Sequence, residues 1–373
     1  MLADLEELVG CESFSADHTA LARSAEVVAA LGARLTGAGP EVIVIDGVSH
    51  LRWAFGTPRV LLLGHHDTVW PLGSLRSRPW SVEAGVARGP GVLDMKAGLV
   101  QLFHALASLP SLDGVCVLVN GDEEVGSPTS RQLIEETARR CAATLVLEPA
   151  ADGQGALKTA RKGASRYEVE IHGRAAHAGL EPHRGVNASV EAAHQVLALA
   201  ALGASARTDA ADPLLGATTV TPTLLSGGSS RNTVPARARV SVDVRVPSGA
   251  AQDRVDTLIR QLTPSTPGAR LEIVGGASRP PMEPAASADL FALARDIAAE
   301  LGQGPLRGLA VGGVSDANQT AAAGCPTLDG LGAVGEGAHA ETEYVRVDQL
   351  IPRARLVAEL IARTIAGPPR SRD

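Results

Sequence analysis

Aromatic residues are scarce in this chain, at 2% of its 373 residues. Hydrophobic residues nevertheless amount to 45% and charged residues to 20%, which are the proportions of a globular protein. The core must therefore consist mainly of Ala, Val and Leu, and such packing suits an α/β fold. With 373 residues, the chain is long enough for two domains.

An excess of positive charge is also absent, because 34 basic and 41 acidic residues give a net charge of −7. This balance argues against nucleic acid or an anionic membrane as a partner. The first residues, MLADLEELVGCESFS, lack the basic start and apolar core of a signal peptide. No apolar run approaches the roughly 20 residues of a membrane span. We therefore expect a cytoplasmic protein.

Cysteine is rare, and no CxxC pair exists, which argues against a zinc–thiolate site. We expect reduced thiols in the core of a cytoplasmic protein. The four cysteines are Cys11, Cys116, Cys141 and Cys325.

Patterns of buried strands alternate with helical patterns in the first part of the chain. Short apolar runs typical of strands buried on both faces are RVLLLGHHDTV, GVCVLVNGDEE and ATLVLEP. Between them, helical spacing predicts helices in DMKAGLVQLFHALASL and in SPTSRQLIEETARR, the second beginning at Ser127. The segments EVIVIDG and HLRWAFG suggest a hairpin. This alternation predicts an α/β fold with a mostly parallel sheet and helices on both faces.

The middle of the chain has a different pattern. SRYEVEIHG and ARARVSVDVRVP alternate apolar and polar residues, as half-buried antiparallel strands do. They are accompanied by two helical segments, NASVEAAHQVLALAAL and AAQDRVDTLIRQL, and by the strand ARLEIVGG. We therefore predict an α+β domain at residues 163–278, inserted into a discontinuous domain of residues 1–162 and 279–373.

Ionisable residues follow the apolar runs of the first domain. In parallel α/β sheets, ligands bind outside the carboxyl ends of the strands. Several predicted strands deliver an acidic or imidazole group to that edge, and a further histidine lies near the end of the chain. These residues are His65, His66, Asp67, Asp94, Asp122, Glu123, Glu124, Glu148 and His339.

Each of these groups has a simple explanation when taken singly. An aspartate before a helix, such as Asp94, is usually an N-cap, and a glutamate after a strand is usually solvated. Taken together, the carboxylates would repel one another unless a cation neutralised them. Imidazole and carboxylate ligands suit Zn²⁺ or a similar divalent ion. Their number exceeds the need of one tetrahedral ion, which predicts two ions sharing a carboxylate.

The same segments resemble, in order and spacing, the motifs of the M20 family of di-zinc metallopeptidases and deacylases. The matching segments are GHHDTVWP, GPGVLDMKAG, NGDEEVGS, LEPA and GEGAHAETEYV. The inserted block resembles the lid or dimerisation domain of that family through GRAAHAG, GVNA, RNTVPA and DVRVP. Within the family, the glutamate carboxypeptidase (carboxypeptidase G2-like) group is most similar, through GHxDTVxP, LEP and RPPME. The resemblance covers nearly the whole chain and implies a zinc-exopeptidase-like fold and a homodimer formed through the lid.

The resemblance implies a complete set of metal ligands. His65 and Glu148 would bind one zinc ion, Glu124 and His339 the other, and Asp94 would bridge the two. The peptide bond after Asp94 is expected to be cis, as in the family. Co²⁺ or Mn²⁺ would also suit these ligand types.

The resemblance also implies that Glu123 is the general base and that Asp67 accepts the second ring N–H of His65. The chemistry supports the first role independently, because a water between two zinc ions has a lowered pKa. A carboxylate within reach can take its proton and deliver it to the leaving amine. His66 occupies a variable position and is not expected to be a ligand. For Asp122 we expect only a structural hydrogen bond.

In the inserted domain and directly after it, the resemblance implies four further residues. His177 would stabilise the oxyanion in the active site of the partner subunit, and Asn232 would lie near the substrate. Arg245 and Arg279 would bind the substrate carboxylate, for which a planar guanidinium is well suited. Simpler explanations stay open, since His177 suits a loop and Arg245 suits a solvated strand.

We predict a zinc-dependent hydrolase that cleaves an amide bond next to a free-carboxylate amino acid, as a glutamate-releasing carboxypeptidase does. An N-acyl amino acid deacylase of the acetylornithine or succinyl-diaminopimelate type would use the same metal site. A third alternative is a catalytically dead relative that acts as a binding protein. It is disfavoured because no ligand and no base is missing.

Overall fold

The computed structural model of the protein describes residues 1–208 and 211–367. The helices in these ranges are α1 (Leu2–Gly10), α2 (His18–Thr36), α3 (Ser74–Ser77), α4 (Ala97–Ala107), α5 (Arg131–Arg139), α6 (Ala188–Thr208), α7 (Gly249–Arg260), α8 (Ala288–Glu300), α9 (Asp316–Ala322) and α10 (Val347–Ala366). Of these described helices, none combines the length and the apolar character needed to cross a membrane.

The strands in the same ranges are β1 (Glu41–Ile45), β2 (Val48–Ala54), β3 (Val60–His65), β4 (Ser81–Glu83), β5 (Val86–Arg88), β6 (Val115–Asn120), β7 (Ala143–Val146), β8 (Leu157–Arg161), β9 (Gly163–His172), β10 (Thr219–Gly227), β11 (Arg237–Val246), β12 (Arg270–Arg279), β13 (Gly308–Val311), β14 (Thr327–Leu328), β15 (Gly335–Glu336) and β16 (Tyr344–Arg346).

The chain folds as two compact units, and the first comprises Met1–Ala160, Pro284–Val311 and the chain from Ser315 onward. Its main sheet has the strand order β1-β2-β6-β3-β7-β14. Strands β3, β6, β7 and β14 run parallel to one another. Strands β1 and β2 form an antiparallel hairpin, and β2 is antiparallel to β6. The predicted hairpin and the mainly parallel sheet are confirmed.

Both faces of this sheet are covered by helices. In β3, Val60 and Leu62 belong to the large core that includes residues of α2, α4 and α10, while Leu61 and Leu63 are fully buried on the opposite face. Helices α5 and α9 contact each other, and α9 contacts β7 and β14. Each fully buried leucine contributes about 1.5–3 kcal/mol to folding. The prediction of helices on both faces is therefore confirmed.

The start of α5 was predicted wrongly, because the helix begins at Arg131 and not at Ser127. Ser127 has a φ of +58°, in the left-handed region, and cannot belong to a right-handed helix. The carboxylate of Asp122 accepts the backbone N–H groups of Thr129 and Ser130 at 2.7 and 3.2 Å. It also accepts both of their hydroxyl groups. This local competition for backbone donors delays the helix, and the expected structural role of Asp122 is confirmed.

The second unit comprises Arg161–Glu283 and Gly312–Val314. Its antiparallel sheet has the order β10-β11-β9-β12. Helices α6 and α7 cover one face, and alternate residues of β9 (Tyr167, Val169 and Ile171) are buried beneath them. The predicted antiparallel strands and their two helices are confirmed, whereas the edge strand β10 has no counterpart among the predicted elements.

Candidate metal centre

The ends of neighbouring strands bring the ionisable residues of the first unit together. His65 is the last residue of β3 and lies in register with Asn120, the last residue of β6. Glu123 and Glu124 follow β6 in a short helical turn, and Glu148 follows β7. Because these three strands are parallel, their carboxyl ends meet at one edge of the sheet, where ligands bind in α/β folds.

The carboxylate of Asp94 lies between two histidine rings. Its Oδ1 is 3.3 Å from Nε2 of His65, and its Oδ2 is 3.4 Å from Nε2 of His339. Glu148 Oε1 lies 3.4 Å from the same nitrogen of His65. Glu124 Oε2 lies 3.1 Å from that of His339. Each histidine thus has its own glutamate while Asp94 is shared, and this arrangement suits two cations joined by one carboxylate.

This region contains two groups of possible metal ligands. Within each group, the ligand atoms all lie within 4.8 Å of one another. One contains His65, Asp94 and Glu124, and the other contains His65, Glu123 and Glu148. All the donors are imidazole nitrogens or carboxylate oxygens, which are the donors that Zn²⁺ and similar ions accept. Both members of the adjacent glutamate pair therefore reach the same centre.

Asp94 is delivered by a turn and not by a regular helix. The turn Val92–Lys96 precedes α4, and Asp94 has φ −112° and ψ 97° within it. The bond between Asp94 and Met95 is cis, as predicted. Helix α4 has no side-chain cap, so the simple explanation of Asp94 as an N-cap does not hold.

The charges of the centre favour a cation. Burial raises the pKa of Glu124 to about 7, with the hydrogen bond from His339 opposing this shift and the neighbouring Asp94 carboxylate adding to it. Within the described residues, Glu124 Oε1 is buried and has no hydrogen-bond partner. A buried carboxylate oxygen without a donor is costly unless a cation binds it. The residues present therefore fit divalent cations.

The Asp94 and Glu124 carboxylates also raise the pKa of His339 to about 10, so protons compete with a cation as the pH falls.

Asp67 holds the backbone of the glutamate pair. It is completely buried, and its carboxylate accepts the N–H groups of Glu123 and Glu124, each at 3.1 Å. The hydroxyl of Ser15 donates to it at 2.8 Å. Burial opposes ionisation of Asp67, but the hydrogen bond and charge of His65 together with the Ser15 hydroxyl outweigh it and lower the pKa of the carboxyl. Ser15 was not predicted, because it lies far away in the sequence.

Asp67 also orients the ring of His65. Nδ1 of His65 lies 3.0 Å from the backbone oxygen of Asp67 and 3.3 Å from its Oδ1. Both partners are acceptors, so in the neutral ring the proton is on Nδ1. The lone pair of Nε2 then faces Asp94 and Glu148, which is the tautomer that a metal ligand needs.

His66 points away from these donors. Its Nε2 donates to the backbone oxygen of Ser49 in β2 at 2.9 Å. Burial lowers the pKa of His66 to about 4, so the ring is uncharged near neutral pH.

Lys158 is a charged neighbour of the centre that was not predicted. Its Nζ lies 3.5 Å from Glu148 Oε2, and its side chain is only 12% exposed. One oxygen of Glu148 thus faces His65 and the other faces an ammonium group. The position of Lys158 on β8 depends on the folded arrangement, and no local motif marks it.

In the second unit, His177 and Asn232 lie on adjacent segments, since Ala178 N–H donates to the backbone oxygen of Asn232 at 2.8 Å. Nδ1 of His177 accepts N–H groups from Gly179 and Leu180 at 3.2 and 3.1 Å. The neutral ring therefore carries its proton on Nε2, and the exposed side chain can donate it. Both residues are exposed.

Arg245 and Arg279 lie in register with Ala164, on either side of it. Arg245 donates through Nε and Nη2 to the two oxygens of Asp243, at 2.8 and 3.0 Å. Arg279 is buried. Because residues paired across neighbouring strands point to the same face of a sheet, both arginine side chains leave the sheet on one face.

A third group of possible ligands, Glu170, His172 and Glu272, lies on the second unit's sheet. Glu170 accepts a hydrogen bond from Arg239 at 2.9 Å, and His172 lies 3.4 Å from Glu272. Because Arg239 already pairs with Glu170 and His172 lies close to Glu272, the group is best described as cross-strand polar pairs.

Several known proteins are similar to this chain in sequence or in fold. Carboxypeptidase G2 from Pseudomonas sp. (strain RS-16) is 30% identical over 385 residues, covering 98% of this chain and 90% of that protein. Succinyl-diaminopimelate desuccinylase from Dinoroseobacter shibae is 28% identical, with 89% and 92% coverage. The solved structure of an M20 family metallo-carboxypeptidase from Sulfolobus solfataricus has a TM-score of 0.75 at 16% identity and covers 98% of this chain and 99% of its own. The model of peptidase family M20/M25/M40 matches residues 61–363, so the chain belongs to this family.

Proposed function

We propose that the protein is a metal-dependent carboxypeptidase that hydrolyses the amide bond next to an amino acid with a free carboxylate, and that glutamate is the amino acid released. The observation that carries the proposal is the Asp94 carboxylate, whose two oxygens face His65 and His339 at 3.3 and 3.4 Å. Similarity to carboxypeptidase G2 along nearly the whole chain supports the choice of substrate class.

The centre is proposed to hold two Zn²⁺ ions, for which Co²⁺ or Mn²⁺ could substitute on the same ligands. His65 and Glu148 would hold one ion, and Glu124 and His339 would hold the other. Asp94 would contribute to both sites. When bound, the ions would polarise the scissile carbonyl and make a water molecule more acidic.

Glu123 is proposed as the general base. Its backbone N–H group donates to the carboxylate of Asp67. One of its own carboxylate oxygens lies within 4.8 Å of the possible metal-ligand atoms of His65 and Glu148. It takes a proton from the attacking water and returns that proton to the leaving nitrogen, so that the product departs as a neutral amine. Asp67 contributes by holding both the base and the ring of His65 in place.

The second unit is proposed to supply substrate contacts. His177 carries its proton on Nε2 and would donate a hydrogen bond from it to the oxyanion in the active site of the partner subunit. Asn232 would lie near the substrate, and Arg245 and Arg279 would bind its carboxylate. Because Arg245 already pairs with Asp243, a substrate carboxylate would have to compete for that guanidinium.

A second candidate is an N-acyl amino acid deacylase of the acetylornithine or succinyl-diaminopimelate type. The similarity to a succinyl-diaminopimelate desuccinylase favours it. The same centre would hydrolyse a short N-acyl group, so only the substrate distinguishes the two candidates.

A substrate panel tests these alternatives. The metal-loaded protein is assayed with folyl-glutamate conjugates, dipeptides ending in glutamate, acetylornithine and succinyl-diaminopimelate. We expect the highest kcat/KM with the glutamate conjugates, and no turnover when the glutamate α-carboxylate is converted to an amide. Chelation of the metal should abolish all activity, and added Zn²⁺ should restore it. Turnover confined to the short N-acyl compounds would refute the carboxypeptidase and support the deacylase.

A homodimer formed through the second unit is part of the proposal. Strand β10 lies at the edge of its sheet and pairs with β11 alone among the described strands. Leu224 and Leu225 on β10 are 71% and 61% exposed, and Leu197 on α6 is also exposed. An apolar edge strand is a ready site for pairing with another chain, and a two-fold dimer would cover it symmetrically.

A complementation experiment tests whether the dimer shares its sites. His177→Ala and Glu123→Gln should each be inactive when alone. After mixing and subunit exchange, half of the dimers are mixed, and each has one site with both intact residues. We therefore expect recovery of about a quarter of the wild-type kcat. Failure to recover activity, with subunit exchange verified by labelled chains, would exclude a shared site.

We also propose a cytoplasmic location. All four cysteines lie in the described part of the chain, and none of them forms a disulfide. Free thiols of this kind are typical of proteins from reducing compartments.

A further inference from the structure

His339 is carried by the loop of a small hairpin. Strands β15 and β16 pair antiparallel, with Gly335 opposite Val345. The loop between them is closed by two backbone hydrogen bonds, from Ala340 N–H to Gly337 O at 2.8 Å and from the last loop residue back to Ala340 O at 3.0 Å. The side chain of His339 is 52% exposed. Packing around the ring therefore does little to set its position, and the anchoring of the hairpin must do so.

The last residue of that loop, Glu343, is buried, with only 2% of its surface exposed. Its Oε1 accepts the N–H groups of Leu93 and Asp94 at 2.8 and 3.1 Å. Its Oε2 accepts the N–H of Gly91 at 3.0 Å and the indole N–H of Trp70 at 3.0 Å. One carboxylate thus joins the loop of His339 to the turn of Asp94 and to the segment that follows Asp67.

These contacts connect two of the candidate ligands through the backbone. Nε2 of His339 lies 3.4 Å from Asp94 Oδ2. Movement of the hairpin relative to the turn would change that distance directly. Three backbone donors, those of Gly91, Leu93 and Asp94, converge on Glu343, and buried donors of this kind are costly to leave unsatisfied.

We propose that Glu343 is a positioning residue, which fixes the His339 hairpin against the Asp94 turn and thereby sets the affinity of the cation site that these two ligands share. The inference rests on the proposed function, because it assumes that the centre binds metal. It concerns the preorganisation of the ligands and not a contact of Glu343 with metal or substrate.

Glu343→Gln is the appropriate variant because it keeps the size of the side chain. A glutamine offers one acceptor oxygen, and its NH₂ group cannot accept hydrogen bonds from the turn. Either Leu93 and Asp94 or Gly91 and Trp70 must then lose their acceptor. The matched control is Glu336→Gln, which makes the same exchange at an exposed position on the other strand of the hairpin.

The experiment titrates Zn²⁺ into the metal-free full-length protein by competition with a chelating indicator. Wild type and Glu336→Gln should bind two ions in two steps. In Glu343→Gln, the step that is also weakened by His339→Ala should weaken by about 10- to 100-fold. The other step should stay within about threefold of wild type, because two of its three ligands, His65 and Glu148, do not contact Glu343 and only the shared Asp94 does.

The outcomes separate this inference from the proposed function. If wild type binds two ions and Glu343→Gln binds both with unchanged affinity, or weakens both steps equally, Glu343 is not a positioning residue but the proposed function stands. If wild type binds no metal, the proposed function fails, and this inference fails with it.

Should Glu343→Gln not fold, Glu343→Asp keeps the charge with a shorter reach and should show the same selective loss. Failure of both variants to fold without metal would show a general folding role and overturn the inference.

Discussion

Replacing Glu123 by Gln is expected to lower kcat by about 10²- to 10⁴-fold, the range that general acid–base groups contribute. The amide cannot take a proton from water. Among the described His, Cys, Asp and Glu residues, Glu123 alone forms a group with both His65 and Glu148 whose ligand atoms lie within 4.8 Å of one another. The N–H group of residue 123 would still donate to Asp67, so the turn should keep its shape. The loss should therefore appear in kcat and not in metal content.

The measurement pairs steady-state kinetics with metal analysis of the same preparation. Glu123→Gln should retain two ions, and excess Zn²⁺ should not restore its activity. Glu136→Gln, a surface change on α5, serves as the control and should behave as wild type. A Glu123→Gln protein with near-normal kcat would refute the assignment of the base, and one that loses metal would identify Glu123 as a ligand.

The strands that build the centre could be predicted because their signal is local. Each buried apolar run stands out in the sequence, and parallel strands place their carboxyl ends at one edge. His65 and Glu148 therefore come together once the strands are recognised. Asp94 and His339 required the family resemblance, since a turn and a hairpin loop deliver them and neither has a periodic pattern.

The groups that support the centre could not be predicted in the same way. Ser15, Lys158 and Glu343 act through contacts between segments that are distant in sequence, and their residue types are common on any surface. The register of the fold brings them to Asp67, Glu148 and the Asp94 turn respectively. Their roles can be recognised only from the distances between their side chains and these groups in the folded protein.

Two local features differ from the prediction, and the sequence gives only a weak signal for either. Strand β10 was not predicted, and the start of α5 was placed too early. Strand β10 contains Pro222, which normally argues against a strand, but the strand lies at an edge and has a register shift between Pro222 and Leu224. The late start of α5 results from Asp122, whose carboxylate takes the backbone donors that a first helical turn would leave open. In the first case the edge position of the strand tolerates the proline, and in the second a local side-chain contact to the backbone overrides the helical preference.

Replacing Glu124 by Gln should have the opposite signature to the change at Glu123. Glu124 Oε2 lies 3.1 Å from Nε2 of His339, and Oε1 is buried without a hydrogen-bond partner among the described residues. A neutral amide is a poor substitute for a charged ligand of a divalent ion. We expect metal affinity to fall by more than the roughly 10- to 100-fold that residues hydrogen-bonded to ligands contribute. Excess Zn²⁺ should restore part of the activity, which it cannot do for Glu123→Gln.

The same change should stabilise the metal-free protein. Because burial raises the pKa of Glu124 to about 7 from its ordinary value of 4.5, the folded state holds a proton between these pH values that the unfolded state has lost. The contribution of this residue to the stability of the metal-free wild type therefore falls as the pH rises from 4.5 to 7, by about 3 kcal/mol. Glutamine does not ionise and carries no such cost, so the metal-free Glu124→Gln protein should be the more stable of the two at pH 7.

Denaturant unfolding of both metal-free proteins at pH 5 and pH 7.5 measures this difference, and the metal titration measures the affinity. The two proteins should have similar stability at pH 5, and Glu124→Gln should be the more stable at pH 7.5. Equal stability at both pH values together with two tightly bound ions would remove Glu124 from the ligand set. A gain in stability without metal and a loss of metal affinity would mean that Glu124 is held in a costly ionised state which a bound cation relieves, and the adjacent glutamates would then have separate roles as base and ligand.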